Sequence, residues 1–96
     1  MISPMAAIHV TQPYTMSHAD LKKGLDELAE KLGEQYQLNC DWDSEDCMGI
    51  RRSGIDGQLT VGKQEIELTL NLGMLMSAFK GVIEREITTF IDEHIY

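Results

Sequence analysis

The sequence predicts an α+β domain with the element order β-α-β-β-β-β-α, a curved antiparallel sheet with two helices packed on one face. Three observations predict it. Apolar residues recur at spacings of three and four in two separated stretches, as on amphipathic helices. Between those stretches the period drops to two over four short segments, as in half-buried strands. The connections within that run are short and carry Gly, Asp and Ser, so consecutive strands are antiparallel neighbours. Strands with one apolar face and helices with one apolar stripe close a single core most economically as one sheet with both helices on the same side.

The chain has 96 residues, the size of one domain, 1–96, with 1–6 expected as a flexible N-terminal extension. Hydrophobic content of 43% and charged content of 25% are those of a globular protein. Asp and Glu outnumber Lys and Arg by 16 to 8, a net charge of -8. That balance repels nucleic acid, whose phosphates reward basic residues, and it disfavours an anionic membrane surface. No basic n-region or apolar h-region opens the chain and no apolar run is long enough to span a bilayer, so a cytoplasmic protein without a transmembrane segment is expected. Cys40 and Cys47 make neither a disulfide scaffold nor a metal motif.

Residues 7–11 read as a strand with Ile8 and Val10 on one face and His9 and Thr11 on the other; Pro13 stops it or marks an edge. Ser17 then caps a helix, with Asp20 three residues on and favourable at the helix dipole. Leu21, Leu25, Leu28, Leu32 and Tyr36 form its apolar stripe, and the helix ends between Gly33 and Gln37. Glu27 and Lys31 are spaced for an i,i+4 ion pair.

From Leu38 the alternation of Leu38, Cys40 and Trp42, followed by Met48 and Ile50, reads as a hairpin around an acidic turn. Keeping these five on one face needs an odd-numbered loop, for which 43–45 would serve; Cys40 then faces inward, Cys47 outward, and the two are not bonded. A two-residue turn at Asp43-Ser44 is the less favoured alternative and would set the cysteines opposite one another. Ser53 to Gly57 is the next turn, with two glycines able to supply positive φ, and 58–61 is a short strand. Gly62-Lys63-Gln64 turns again. Glu65–Leu72 is the clearest strand, with Ile66, Leu68, Leu70 and Leu72 inward. After Gly73 a long helix is expected from about Leu75 to near the C-terminus, with Leu75, Phe79, Val82, Ile83, Ile87, Phe90, Ile91 and Ile95 in a broad apolar arc.

The catalytic inventory is thin: no Gly-rich phosphate loop, no H-E-x-x-H, no nucleophile elbow and no C-x-x-C. His9, His18 and His94 fall in three different elements, and no cofactor, metal site or catalytic residue is assigned. The acidic run Asp41, Asp43, Glu45 and Asp46 lacks the central glycine and terminal glutamate of a calcium loop and reads as a solvated turn. Cys40 reads as a core residue and Cys47 as an exposed thiol. Two positions are candidate ligand-binding residues. Trp42 is either a core aromatic or the wall of a cavity. Glu86 falls inside the apolar arc of the second helix and so needs a partner. It lies at a rim or pairs with Arg51, Arg52 or a histidine, or it is a polar anchor at the end of an apolar cavity. Met74, Met76 and the Met1/Met5 segment read as core filling or soft apolar surface.

Arg51-Arg52-Ser53-Gly54-Ile55-Asp56-Gly57, followed by Leu59 and Val61, resembles the R-S-G-I/V-D-G turn and strand of the polyhydroxyalkanoic acid system (granule-region) family. Leu72-Gly73-Met74-Leu75, with Phe79-Lys80, Ile83-Glu84 and Glu86-Ile87, resembles its L-G-x-L segment and the helix that follows. The opening strand, the Leu-striped helix and Trp42 before the hairpin fit the same family, whose members occur in bacteria beside genes for polyester storage granules. The resemblance implies a granule-associated or granule-regulating role, and the reading favoured is a non-enzymatic accessory protein of polyhydroxyalkanoate storage that binds the granule surface or a granule protein. It implies no catalytic residue. The alternative is a small hydrophobic-ligand (acyl) binding protein with a sheet-and-helix cavity. No nucleic-acid partner is expected, and homo-oligomerisation is left open.

Overall fold

A computed structural model describes residues 6–96. The elements are β1 (Ala6–Pro13), α1 (His18–Tyr36), β2 (Asn39–Ser44), β3 (Cys47–Arg52), β4 (Ile55–Val61), β5 (Glu65–Leu72) and α2 (Lys80–His94), with a short 3-10 turn, Ser77–Phe79, before α2. The sheet is open and antiparallel throughout, in the order β1-β5-β4-β3-β2. β1 therefore lies at one edge, α1 crosses to the other, and the chain returns strand by strand until β5 lies beside β1. This is the β-α-β-β-β-β-α fold that the sequence predicts.

The core lies between the helices and one face of the sheet. Ile8, Leu59, Ile66, Leu68, Leu70 and Leu72 from the sheet meet Leu21, Leu25, Leu28 and Leu32 of α1 and Ile83, Ile87, Phe90 and Ile91 of α2. The opposite face is polar and solvated, carrying His9, Thr11, Glu67, Gln58, Thr60 and Arg51. Burial of the apolar face contributes about 25 cal/mol per Å².

Local signals account for the boundaries. Ser17 caps α1 by accepting from the Asp20 N–H at 3.2 Å. Gln37 ends it in the left-handed region at φ 59°, its N–H returning to Gly33 O. Pro13 closes β1, an edge strand, where a missing N–H is tolerated.

Several expectations change. β1 extends to Pro13, and Ala6, read as part of the N-terminal extension, already lies in it. β4 begins at Ile55, which was expected within the turn 53–57 and is instead a buried strand residue. Of the two glycines flanking it only Gly54 has positive φ, at 88°. Gly57 is instead a strand residue facing Leu70, where a Cβ would lie 2.7 Å from Leu70 Cδ2. In the β2–β3 hairpin Cys40 opposes Ile50 and Trp42 opposes Met48, so the inward face is the expected one and both cysteines are free. The loop is not 43–45, however. Glu45-Asp46 forms a tight two-residue turn and the register shifts between Trp42 and Ser44, a bulge that restores the parity the core requires. Glu27 and Lys31 do not pair; Lys31 reaches across to α2, where a carboxylate is closer to the core and less screened.

Candidate functional site

The largest departure from the expected helix creates the candidate site. α2 starts at Lys80, not near Leu75, because the chain leaving β5 is held in a tight irregular turn. Gly73 N–H donates to Gly54 O at 2.7 Å, tying the end of β5 to the β3–β4 turn. Met76 and Ser77 N–H both return to Gly73 O, at 3.0 and 2.9 Å, and the Ser77 hydroxyl donates to Met74 O at 2.8 Å. Met76 folds inward over Gly54, so close that a Cβ on Gly54 would meet Met76 Cγ at 2.8 Å.

With Met76 turned in, its neighbours turn out. Met74 is 68% exposed, Leu75 88%, Phe79 47% and Val82 55%. Three of these were expected in the buried arc of α2; the arc proves too wide for one helix face, and only Ile83, Ile87, Phe90, Ile91 and Ile95 are buried. The signal that could have found the patch is the width of the arc itself, together with the absence of any capping side chain before Leu75. All four fall between Met74 and Val82, in the turn after β5 and the first turn of α2. The segment 74–85 carries Lys80 and Arg85 against Glu84, so it is not acidic although the chain is. Lys80 Nζ lies 3.5 Å from Glu84 Oε1.

Trp42 and Glu86 are placed apart, against different turns of α1. Trp42 packs against the core edge; its indole N–H donates to Asp26 Oδ1 at 2.7 Å, and Lys22 Nζ sits 4.3 Å from the ring centroid. Glu86 is half-buried at the rim and pairs with Lys31 Nζ at 3.0 Å, rather than with an arginine or a histidine. Burial and then the Glu86 carboxylate push the nearby Tyr36 phenol up, with Lys31 opposing. Arg52 donates instead to Tyr36 O at 2.7 Å, satisfying a carbonyl in the last turn of α1, which has no basic residue of its own.

The remaining polar groups do not converge with the patch. Cys40 is half-buried; burial, then the Asp41 carboxylate, push its thiol up to about 11. Cys47 Sγ faces Gln58 Oε1 at 3.7 Å on the polar side. His9 contacts Glu67, His18 contacts Asp46, and His94 bonds to Phe90 O and stacks on the Phe90 ring. Among the described residues no three His, Cys, Asp or Glu side chains group as metal ligands. An open depression of about 520 Å³, lined by Tyr14, Met16, His18, Asp46, Val61, Gly62 and Lys63, lies beside the start of α1 and includes neither Trp42 nor Glu86. No helix among the described residues is long and apolar enough to cross a membrane. The Met1/Met5 segment lies outside the described residues.

The family model described as Putative polyhydroxyalkanoic acid system protein matches residues 8–95, nearly the whole chain. The chain belongs to this polyhydroxyalkanoic acid system family. No curated protein and no solved structure matches it. In this family member the two segments that carry the resemblance, far apart in sequence, touch through Gly54 and Gly73. They are therefore two halves of one junction, and Met74 and Leu75 follow it directly in the chain.

Proposed function

We propose that this member of the polyhydroxyalkanoic acid system family is a non-enzymatic accessory protein of polyhydroxyalkanoate storage. It attaches to the granule surface or to a granule protein through Met74, Leu75, Phe79 and Val82. One observation carries the reading: Met74, Leu75, Phe79 and Val82 all stand exposed along the turn after β5 and the start of α2, where Gly73 ties that turn to Gly54. Moving such a side chain fully out of water contributes about 1.5–3 kcal/mol. Four together are comparable with the cost of association, about 4–15 kcal/mol, so attachment is reversible. The acidic remainder of the chain keeps the unattached protein dispersed.

The acyl-carrier alternative needs an apolar chamber at Trp42 and Glu86, whose polar atoms already have partners in Asp26 and Lys31. No observation favours it. The attachment reading is tested by incubating purified protein with isolated polyhydroxyalkanoate granules and sedimenting them. Recovery with the granules is expected; recovery wholly in the supernatant counts against it.

A further inference from the structure

The two edges of the sheet differ in a way that bears on self-association, independently of the apolar patch. Tyr14 N–H donates to Gln64 O at 3.0 Å, continuing the ladder in which Pro13 lies opposite Glu65. Successive strand residues direct their N–H and C=O to alternate sides, so Ile8, Val10 and Gln12 bond to β5. Ala7, His9, Thr11 and the carbonyl of Pro13 then face away from it. The β4–β5 turn agrees: Gly62 N–H donates to Glu65 O at 2.8 Å, so odd positions of β5 serve β4 and even ones serve β1. Among the described residues no strand pairs with the outer side of β1.

An unpaired edge is a template for another strand, and folded proteins commonly blunt it with charge or a bulge. The β2 edge has both, in Asp41, Asp43 and the register shift beside Trp42. β1 has neither: its eight residues, AAIHVTQP, include no Lys, Arg, Asp or Glu, and its one proline stands at the far end.

We propose that the free edge of β1 pairs antiparallel with β1 of a second copy across a two-fold axis perpendicular to the sheet, joining two five-stranded sheets into one. The strand is self-complementary. Setting His9 opposite the partner's His9 puts Ala7 opposite the partner's Thr11, so every outward N–H from Ala7 to Thr11 meets a carbonyl. It keeps Pro13 out of the paired stretch. It also sets Ile8 beside the partner's Val10 on the helix face, covering Val10, which is only partly buried in the single chain. An isologous contact of this kind closes at two copies.

Sedimentation equilibrium of the full chain tests this. The mass expected is twice 10.8 kDa. Thr11→Pro removes an outward N–H and places a ring in the partner's path without touching the β1–β5 ladder. It is expected to raise the dimer dissociation constant roughly 30-fold, the loss of one hydrogen bond per copy. His9→Lys, which sets like charges across the axis, is expected to weaken the dimer without altering the circular dichroism spectrum. Leu75→Ser with Phe79→Ser is expected to leave it dimeric. A monomeric wild type overturns the proposal, as does a dimer that survives both β1 substitutions. Dissociation by the Leu75/Phe79 substitutions alone overturns it too, and assigns the contact to the patch instead.

Discussion

Gly54 is held at φ 88° with Met76 packed against its Cα, so it needs both the conformational freedom and the small size of glycine. Gly54→Ala is expected to destabilise the fold by about 1–3 kcal/mol in urea unfolding, from strain at positive φ and displacement of Met76. Gly57→Ala is expected to cost more, because the new methyl meets the Thr69 carbonyl and Leu70, both fixed in β5. The sequence marks both glycines as turn residues. It does not show that one of them is in a strand, because that depends on which neighbouring strand presses against it. Cys40 is legible as an inward residue from the alternation with Leu38 and Trp42, and its burial has a chemical consequence. With its thiol raised from about 9 to about 11, Cys40 holds about a hundredfold less thiolate in the folded chain than in the unfolded one below pH 9. Alkylation of Cys40 at pH 8 is expected to be slower by about that factor in the native protein than in urea, read by peptide mass. Equal rates would contradict the burial. The sign for stability follows: the protonated thiol's contribution is complete below about pH 9 and is lost as pH rises through about 11.

The elements differ in how far they can be read. α1 is the more legible helix, since its cap and leucine stripe are local signals, but its left-handed stop falls on Gln37, where no glycine marks it. Its leucines Leu21, Leu25, Leu28 and Leu32 are all buried. Leu28→Ala is expected to lose about 2–5 kcal/mol in the same unfolding assay, the usual cost of a cavity in a packed interior. The hairpin's inward face is legible from period two, but its turn is not. Parity fixes which residues face the core and leaves open whether the odd residue sits in the loop or in a bulge. Trp42 is anchored to α1 by Asp26, a tertiary contact with no sequence signal. Trp42→Phe is expected to cost about 0.5–1.5 kcal/mol, no more, because Asp26 is exposed and water takes over its partner's role. α2 is the element the periodicity misjudges. Apolar residues at helical spacing continue back to Leu75, but the Gly73–Gly54 contact and the inward Met76 take that stretch out of the helix. The same failure locates the candidate site, which no local pattern marks.

At the scale of the molecule, an acidic sheet-and-helix body carries a non-acidic apolar corner where the end of β5 meets the β3–β4 turn. The core is complete without that corner: Met74, Leu75, Phe79 and Val82 all lie outside the buried cluster. The proposed attachment and the stability of the fold therefore rest on different residues, and a single pair of proteins tests them apart. The decisive measurement is the binding isotherm of wild type and of the Leu75→Ser, Phe79→Ser double variant on isolated polyhydroxyalkanoate granules, with the melting temperature of each. The account predicts at least a roughly tenfold weaker isotherm for the variant, since burial of a leucine and a phenylalanine is lost, with little change in melting. Isotherms that superimpose would contradict it, and would place granule attachment on some other surface or remove it altogether.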